Sequence, residues 1–266
     1  HPAAVHGALT GLPNRALFED RVRHALTHAR RNGKSVAVLF VDLDDFKTVN
    51  DSLGHQVGDE LLRLTAARID DCLRGSDTAA RLGGDEFAVL VEGVSDPQAV
   101  TQVAERIHEA LDQAFVIGEE ELFVRASIGI ATHEGDQLDD ELMRNADTAM
   151  YAAKAAGKGR HQVFHPVMHD DAKRRLQLTG DLRRAVDRNE FSVDYQPLVD
   201  LANGRVLGAE ALVRWEHPTY GRIPPIDFIS LAEETGFINA IGDFVLGEAC
   251  RQARIWQDTG SGPTYV

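Results

Sequence analysis

The sequence is poor in cysteine, in long apolar runs and in positive charge. Cys72 and Cys250 are the only cysteines in 266 residues, far apart and outside any CxxC. That excludes a disulfide framework and suits a reducing compartment. The longest apolar run, residues 36–41, is far too short to span a bilayer. Lysine and arginine number 28 against 42 aspartates and glutamates, a net charge of −14. Broad binding to nucleic acid or to an anionic membrane is therefore not expected, and an anionic substrate has to be met by local cations or metal ions. No signal peptide is visible, and the chain opens on His1-Pro2 rather than Met. It reads as a cytoplasmic piece of a longer protein, with room upstream for a membrane anchor.

What is present is an alternation of helical and strand patterns. A helical pattern over residues 14–31 closes on Asn32-Gly33, and SVAVLFVDLDD is a short buried strand ending in acids. A helix, a loop through Gly54 and Gly58, and a second helix to Leu73 follow. Two strands flank Gly83-Gly84, then come a helix over 97–114, the strand LFVRASIGIAT, a helix over 138–156 and the strand HQVFH. Such alternation indicates an α/β or α+β domain with helices packed on a sheet. Residues 166–188 read as an Arg-rich amphipathic helix joining two domains. Beyond it, over 189–266, strand, turn, strand and two helices begin a second, unfinished sheet or barrel. The 43% hydrophobic content suits two modest domains, and neither an internal repeat nor a low-complexity tract is evident.

Two glycines and two adjacent carboxylates, Gly83-Gly84-Asp85-Glu86, sit at the turn between two apolar strands. Asp42 ends a buried strand where a helix is about to begin, and free N–H groups at that helix start favour a polyphosphate. Magnesium takes one or two carboxylates together with substrate phosphate oxygens, and Asp42 with Asp85 would supply them. Taken singly, a Gly-Gly turn with acids is more often a solvated hairpin, and Asp42 more often a helix N-cap. Two other signals are discarded. Gly33-Lys34-Ser35 resembles the end of a P-loop, but the required earlier glycine falls at His28 and a strand follows. His24 and His28 share a helix face without a third ligand, so a solvated face outweighs a zinc site.

The run from Thr10 to Phe164 resembles the GGDEF family of diguanylate cyclases. The matching blocks are LTGLPNR, DLDDFKTVNDSLGHQVGDELL, RLGGDEF, ASIGIA and ADTAMYAAKAAGKGR, in that order. The resemblance implies a central, mostly antiparallel, palm-like sheet of the nucleotidyl-cyclase kind, wrapped by helices over residues 1–165. It implies condensation of two GTP to cyclic di-GMP with release of two pyrophosphates, by a homodimer whose facing domains each hold one GTP. Two Mg2+ or Mn2+ per half-site would be held by Asp42, the Leu43 carbonyl and Asp85. Asp85 would help activate the 3′-hydroxyl with Glu86 in support, Asn50 and Asp59 would read guanine, and Lys154 and Lys158 would hold phosphates. Lys158 stands where the family commonly has Arg. Arg74 and Asp77 form RxxD, separated from Gly83 by five residues, which the resemblance makes a product-inhibition site for cyclic di-GMP. One departure is Gly7, where the family usually carries an Asp; its loss is expected to loosen the N-terminal hairpin near Arg15.

From Asp181 onward the chain resembles the start of an EAL phosphodiesterase domain, through LRRAVDRNEFSVDYQPLVDLANGRVLGAEALVRWEHP and IPPIDFISLAEETGFI. The implied fold is an incomplete TIM-like barrel. Glu210, at a strand end, would be a metal ligand, and Gln196 and Arg214 would contact cyclic di-GMP. About a third of such a domain is present, so hydrolysis of cyclic di-GMP is not expected from this segment. Beside a competent cyclase stand two other readings, a GTP-binding module that regulates a phosphodiesterase and a dimerisation platform.

Overall fold

The computed structural model describes residues 5–133, 138–260 and 265–266. The chain divides into two compact units, His1–Ala172 and Lys173–Val266, taken in turn.

The first unit opens with α1, Arg15–Asn32. Asn14 caps it by accepting the Leu17 N–H at 3.1 Å, and Gly33 ends it in the left-handed region at φ 64°. Phe18, Val22, Ala25, Leu26 and Ala29 form its buried stripe. Strand β1, Ser35–Leu43, is buried along almost its whole length because it pairs on both sides. Next come α2, Phe46–Leu53; α3, His55–Asp71; β2, Thr78–Gly83; and β3, Glu86–Val94. Helix α4, Pro97–Leu111, starts with Asp96 as cap and Pro97 in its first turn. The short hairpin β4, Phe115–Ile117, and β5, Glu120–Leu122, precedes β6, Ala126–Thr132; α5, Asp139–Ala155; and β7, His161–Val163.

The sheet order is β2-β3-β1-β6-β7. All pairs are antiparallel except β6 with β7. Alternation along β1 sends Leu39, Val41 and Leu43 into one core with Leu61, Ile69 and Ile107 of α3 and α4. Val36, Val38 and Phe40 enter the other, with Phe18 and Val22 of α1 and Leu142 and Ala146 of α5. The expected palm-like sheet wrapped by helices is thus present. Gly129 of β6 lets α5 lie directly on the sheet, since a Cβ there would fall 2.0 Å from the Met150 nitrogen.

Two local expectations are corrected. Gly58 lies inside α3 rather than in a loop, and only Gly54, at φ 85° and ψ 160°, breaks the two helices. The stretch LFVRASIGIAT is not one strand: β6 begins only at Ala126, and Glu120–Leu122 folds back on β4. The hairpin about Gly7 is closed by backbone alone, Gly7 N–H to the Leu12 carbonyl and Gly11 N–H to the Gly7 carbonyl, both 2.9 Å.

Helix α6, Val167–Ala185, leads to β8, Phe191–Val199; β9, Val206–His217; β10, Gly221–Ile223; α7, Pro225–Thr235; and α8, Ile238–Thr259. In the second unit, an antiparallel sheet ordered β10-β9-β8 packs Phe191, Trp215 and Ile223 against Leu178, Leu182, Phe228 and Leu231. Trp215 is fully buried and donates its indole N–H to Glu190 Oε2 at 3.0 Å. After α7 and α8 the chain returns to β9 in parallel, Gly208 opposite Tyr265. This strand, helix, parallel-strand step is the unit from which α/β barrels are built, and the barrel here is partial. Leu198, Val199, Val206 and Leu207 of β8 and β9 stay exposed.

Candidate active site

The β1 and β3 strands bring the acids together. Asp42 sits opposite Glu86 in the β1–β3 register, and the Leu43 N–H donates to the Asp85 carbonyl at 3.3 Å. The turn between β2 and β3 needs its glycines: Gly83 and Gly84 adopt φ 154° and 50°, which L side chains avoid. Asp42 is only 7% exposed. Burial raises its pKa above the ordinary aspartate value, Lys154 pulls it back, and Asp85 and Glu86 push it up again.

Asp42 belongs to the face of β1 that meets α5, so Lys154, in the last turn of that helix, reaches its Oδ2 at 2.8 Å. Lys158 lies just beyond the helix at φ 59° and meets Asp45 Oδ1 at 2.7 Å. Asp45, itself at φ 59°, stands immediately before α2. Both cations thus flank the strand-to-helix loop after Asp42.

Asn50 of α2 and Asp59 of α3 lie on either side of the Gly54 break. Gly58 faces the Asn50 amide so closely that a Cβ would fall 2.0 Å from Oδ1. A glycine within a helix, at a cost of about 1 kcal/mol relative to Ala, was the available sequence signal for this approach. Four further residues interact with these ones and were not singled out for it by sequence. Arg81 donates twice to the Gly84 carbonyl, at 3.0 and 2.7 Å, and lies within the fields of Asp59 and Asp85. Arg15 pairs with Glu86 at 3.5 Å. Asp147 of α5 is raised by burial and lowered by Lys154 and Arg15. Asp44 lies between the acids and the Lys158 loop.

Arg74 and Asp77 occupy the other end of β2, about 20 Å from Gly83 at ~3.3 Å per residue. Asp77 accepts from the Arg74 N–H at 3.2 Å and the Glu92 N–H at 3.4 Å. Its carboxylate braces the turn instead of pairing with the Arg74 guanidinium, and neither residue joins the acidic cluster.

In the second unit, Gln196 and Glu210 are register partners, and Arg214 lies two pleats along the same face of β9. The three share one surface of the sheet. Glu210 lies within β9 and not at its end, because the strand continues to His217 and pairs with β10. Arg214 Nε donates to Asp194 Oδ2 at 2.9 Å.

Among the described residues, no group of three His, Cys, Asp or Glu side chains could hold a metal ion by itself, and no helix is long and apolar enough to cross a membrane. Hard oxygens at Asp42, Asp85 and the Leu43 carbonyl remain a donor set suited to magnesium carried in on phosphates.

A helix-wrapped sheet of this order, with paired acids at one end, defines a domain of the nucleotidyl-cyclase, palm-like class. A family model described as diguanylate cyclase, GGDEF domain, matches residues 4–160, and an EAL domain model matches 179–265. The chain belongs to the GGDEF family and continues into part of an EAL domain. It is 48% identical over 258 residues to the bifunctional diguanylate cyclase/cyclic di-GMP phosphodiesterase MucR of Pseudomonas aeruginosa, covering 97% of this chain and 38% of MucR. It is 42% identical over 254 residues to the cyclic di-GMP phosphodiesterase PdeR of Escherichia coli, covering 95% of this chain and 38% of PdeR. The chain therefore spans well under half the length of these relatives. The GGDEF domain of TpbB (YfiN) from P. aeruginosa superposes with a TM-score of 0.61 at 38% identity, over 65% of this chain and 99% of that one. That of DgcB from Caulobacter crescentus, in complex with c-di-GMP, gives 0.58 at 30%, over 60% and 93%.

Proposed function

We propose that the first unit condenses two GTP into cyclic di-GMP and two pyrophosphates as a homodimer, each copy holding one GTP. The observation that carries this reading is the convergence of Asp42, Asp85 and Glu86 at one sheet end, with Lys154 on Asp42, Arg81 within the fields of both Asp59 and Asp85, and the Asn50 amide against Gly58, the residue before Asp59. Asp59 accepts from guanine N1–H and the exocyclic amine, donors that adenine does not offer together, and the Asn50 amide completes the edge. Lys154 and Lys158 neutralise the triphosphate. Asp85 accepts the proton of the attacking 3′-hydroxyl, with Glu86 held near it by Arg15. Magnesium or manganese, held by Asp42, Asp85 and the Leu43 carbonyl, would lower the hydroxyl's pKa and offset phosphate charge. Product returns to the distant Arg74–Asp77 turn and slows the enzyme.

A second reading has its own support: PdeR, 42% identical, is named for phosphodiesterase activity alone. In it, the GGDEF unit binds GTP and regulates the EAL part without turnover. Cyclic di-GMP formation with GTP and magnesium across a range of protein concentrations decides between them. A rate rising faster than linearly with protein, then stalling as product builds up, supports the dimeric cyclase. GTP binding without product at any concentration supports the regulatory module.

A further inference from the structure

We propose that Asp44 is a positioning residue that sets the Lys158 loop and thereby the affinity for the triphosphate. The inference rests on the reading of this site as a GTP site, though not on turnover. Asp44 follows Asp42 of β1 by two residues, yet its carboxylate is spent on the protein itself. Oδ1 accepts from Ser127 Oγ at 2.7 Å, and Oδ2 accepts from the Gly159 N–H at 2.8 Å. Its own N–H donates to the Arg125 carbonyl at 2.8 Å. Ser127 is fully buried in β6 and stands opposite Asp42 in the register. Asp44 therefore has a rigid anchor on one oxygen and a loop on the other.

That loop is demanding. Gly157, Lys158 and Gly159 take φ of 110°, 59° and 57° in succession, and a left-handed lysine is disfavoured unless its surroundings fix it. The Lys158 N–H donates back to the Ala153 carbonyl at 3.2 Å, which ties the loop's start to α5. The bond from Gly159 to Asp44 ties its other side to the strand-to-helix loop. The loop also presses on Arg125, whose Cδ would lie 2.9 Å from a Cβ at Gly159. Lys158 is thereby directed along Asp45, at the threshold of α2. Without the Asp44 bond the Gly159 N–H has lost its acceptor and the turn its reason to stay left-handed, so the ammonium spreads over many positions. Guanine recognition by Asn50 and Asp59 draws on the body of α2 and on α3, whereas this loop meets that region at Asp45, the residue before α2.

Affinities of the 266-residue chain for GTP and for guanosine, measured calorimetrically with magnesium present, test the proposal. Asp44→Ala should weaken GTP about tenfold or more and guanosine by less than about twofold. Asp44→Asn can still accept from Gly159 and donate to Ser127 Oγ, so it should stay within about threefold of the parent. In a Lys158→Ala background, Asp44→Ala should add less than about twofold, because coupled residues do not add. Equal weakening of GTP and guanosine, or multiplicative losses with Lys158→Ala, would overturn the proposal in favour of a general structural role. An Asn variant as poor as Ala would overturn it in favour of direct action by the charge. Should Asp44→Ala not fold, Ser127→Ala removes only the anchor and must show the same GTP-selective loss, or the idea fails. A parent chain that binds no GTP defeats the site reading itself, whereas binding without turnover defeats catalysis alone.

Discussion

The ammonium of Lys154 lies 2.8 Å from Oδ2 of the buried Asp42, linking the last turn of α5 to the centre of the sheet. Asp42 is desolvated and faces Asp85 and Glu86, so the lysine is the cation that makes its ionised form tolerable. Because burial raises the Asp42 pKa in the fold, the protonated form is favoured there, and stability is lost as pH rises through that raised value. Lys154→Ala should therefore destabilise the chain by about 1–3 kcal/mol at pH 8 and by less at pH 5. Thermal melts at the two pH values read this directly; equal losses at both would argue against the ion pair as the cause. Cyclase turnover should fall at least about a hundredfold, since the same lysine neutralises phosphate.

Gly58→Ala should separate fold from substrate recognition. Alanine is the better helix residue by about 1 kcal/mol, but its Cβ would displace the Asn50 amide and lie 3.3 Å from the Phe46 ring. The expected result is a melting temperature near that of the parent with GTP affinity reduced about tenfold. A fluorescent GTP analogue and circular dichroism measure the two. An unchanged affinity would show that Asn50 has another acceptable rotamer.

Arg74→Ala should alter late product formation and not the initial rate. Asp77 already holds its turn through backbone N–H groups of Arg74 and Glu92, so the loop survives loss of the guanidinium. Progress curves should remain linear beyond the product level at which the parent stalls. Stalling at the same level would place inhibition elsewhere.

His108 of α4 gives the first unit an acid sensitivity distinct from the Asp42–Lys154 ion pair. Burial lowers its pKa, and His161, at 5.8 Å between ring centroids, lowers it further against weaker opposing effects of Asp112 and Asp44. Its Nε2 is buried without a hydrogen-bond partner. For a histidine depressed in the fold, stability is complete above the ordinary value of about 6.5 and is lost as pH falls through the folded value. His108→Leu should flatten the fall in melting temperature below pH 6.5. An unchanged acid slope would assign the effect to other groups.

Much of this molecule was legible because it is local. The apolar run of residues 36–41 announces a central strand, Asn14 and Gly33 bracket α1, and Gly83-Gly84 announces a turn. The blocks around Asp42, Asp85 and Lys154 carried the family and hence the sheet. The β4–β5 hairpin was missed because its turn and second strand, GEEEL, carry neither an alternating nor an apolar pattern. Gly58 was misread because a helix-breaking residue was preferred in a loop, where only its contact with Asn50 explains it.

By itself, then, the sequence determined the family, the order of elements and which carboxylates, amides and lysines are available, since these follow from residue type and spacing along the chain. Tertiary structure decided the partnerships: Lys154 with Asp42, Arg15 with Glu86, Arg81 with Gly84, and Asp44 between Ser127 and Gly159. Those pairs join residues 3 to 115 positions apart. Which of them meet depends on strand register and on which face of β1 each helix covers. The long-range ones exist only once the strands have paired and the helices have settled on the sheet.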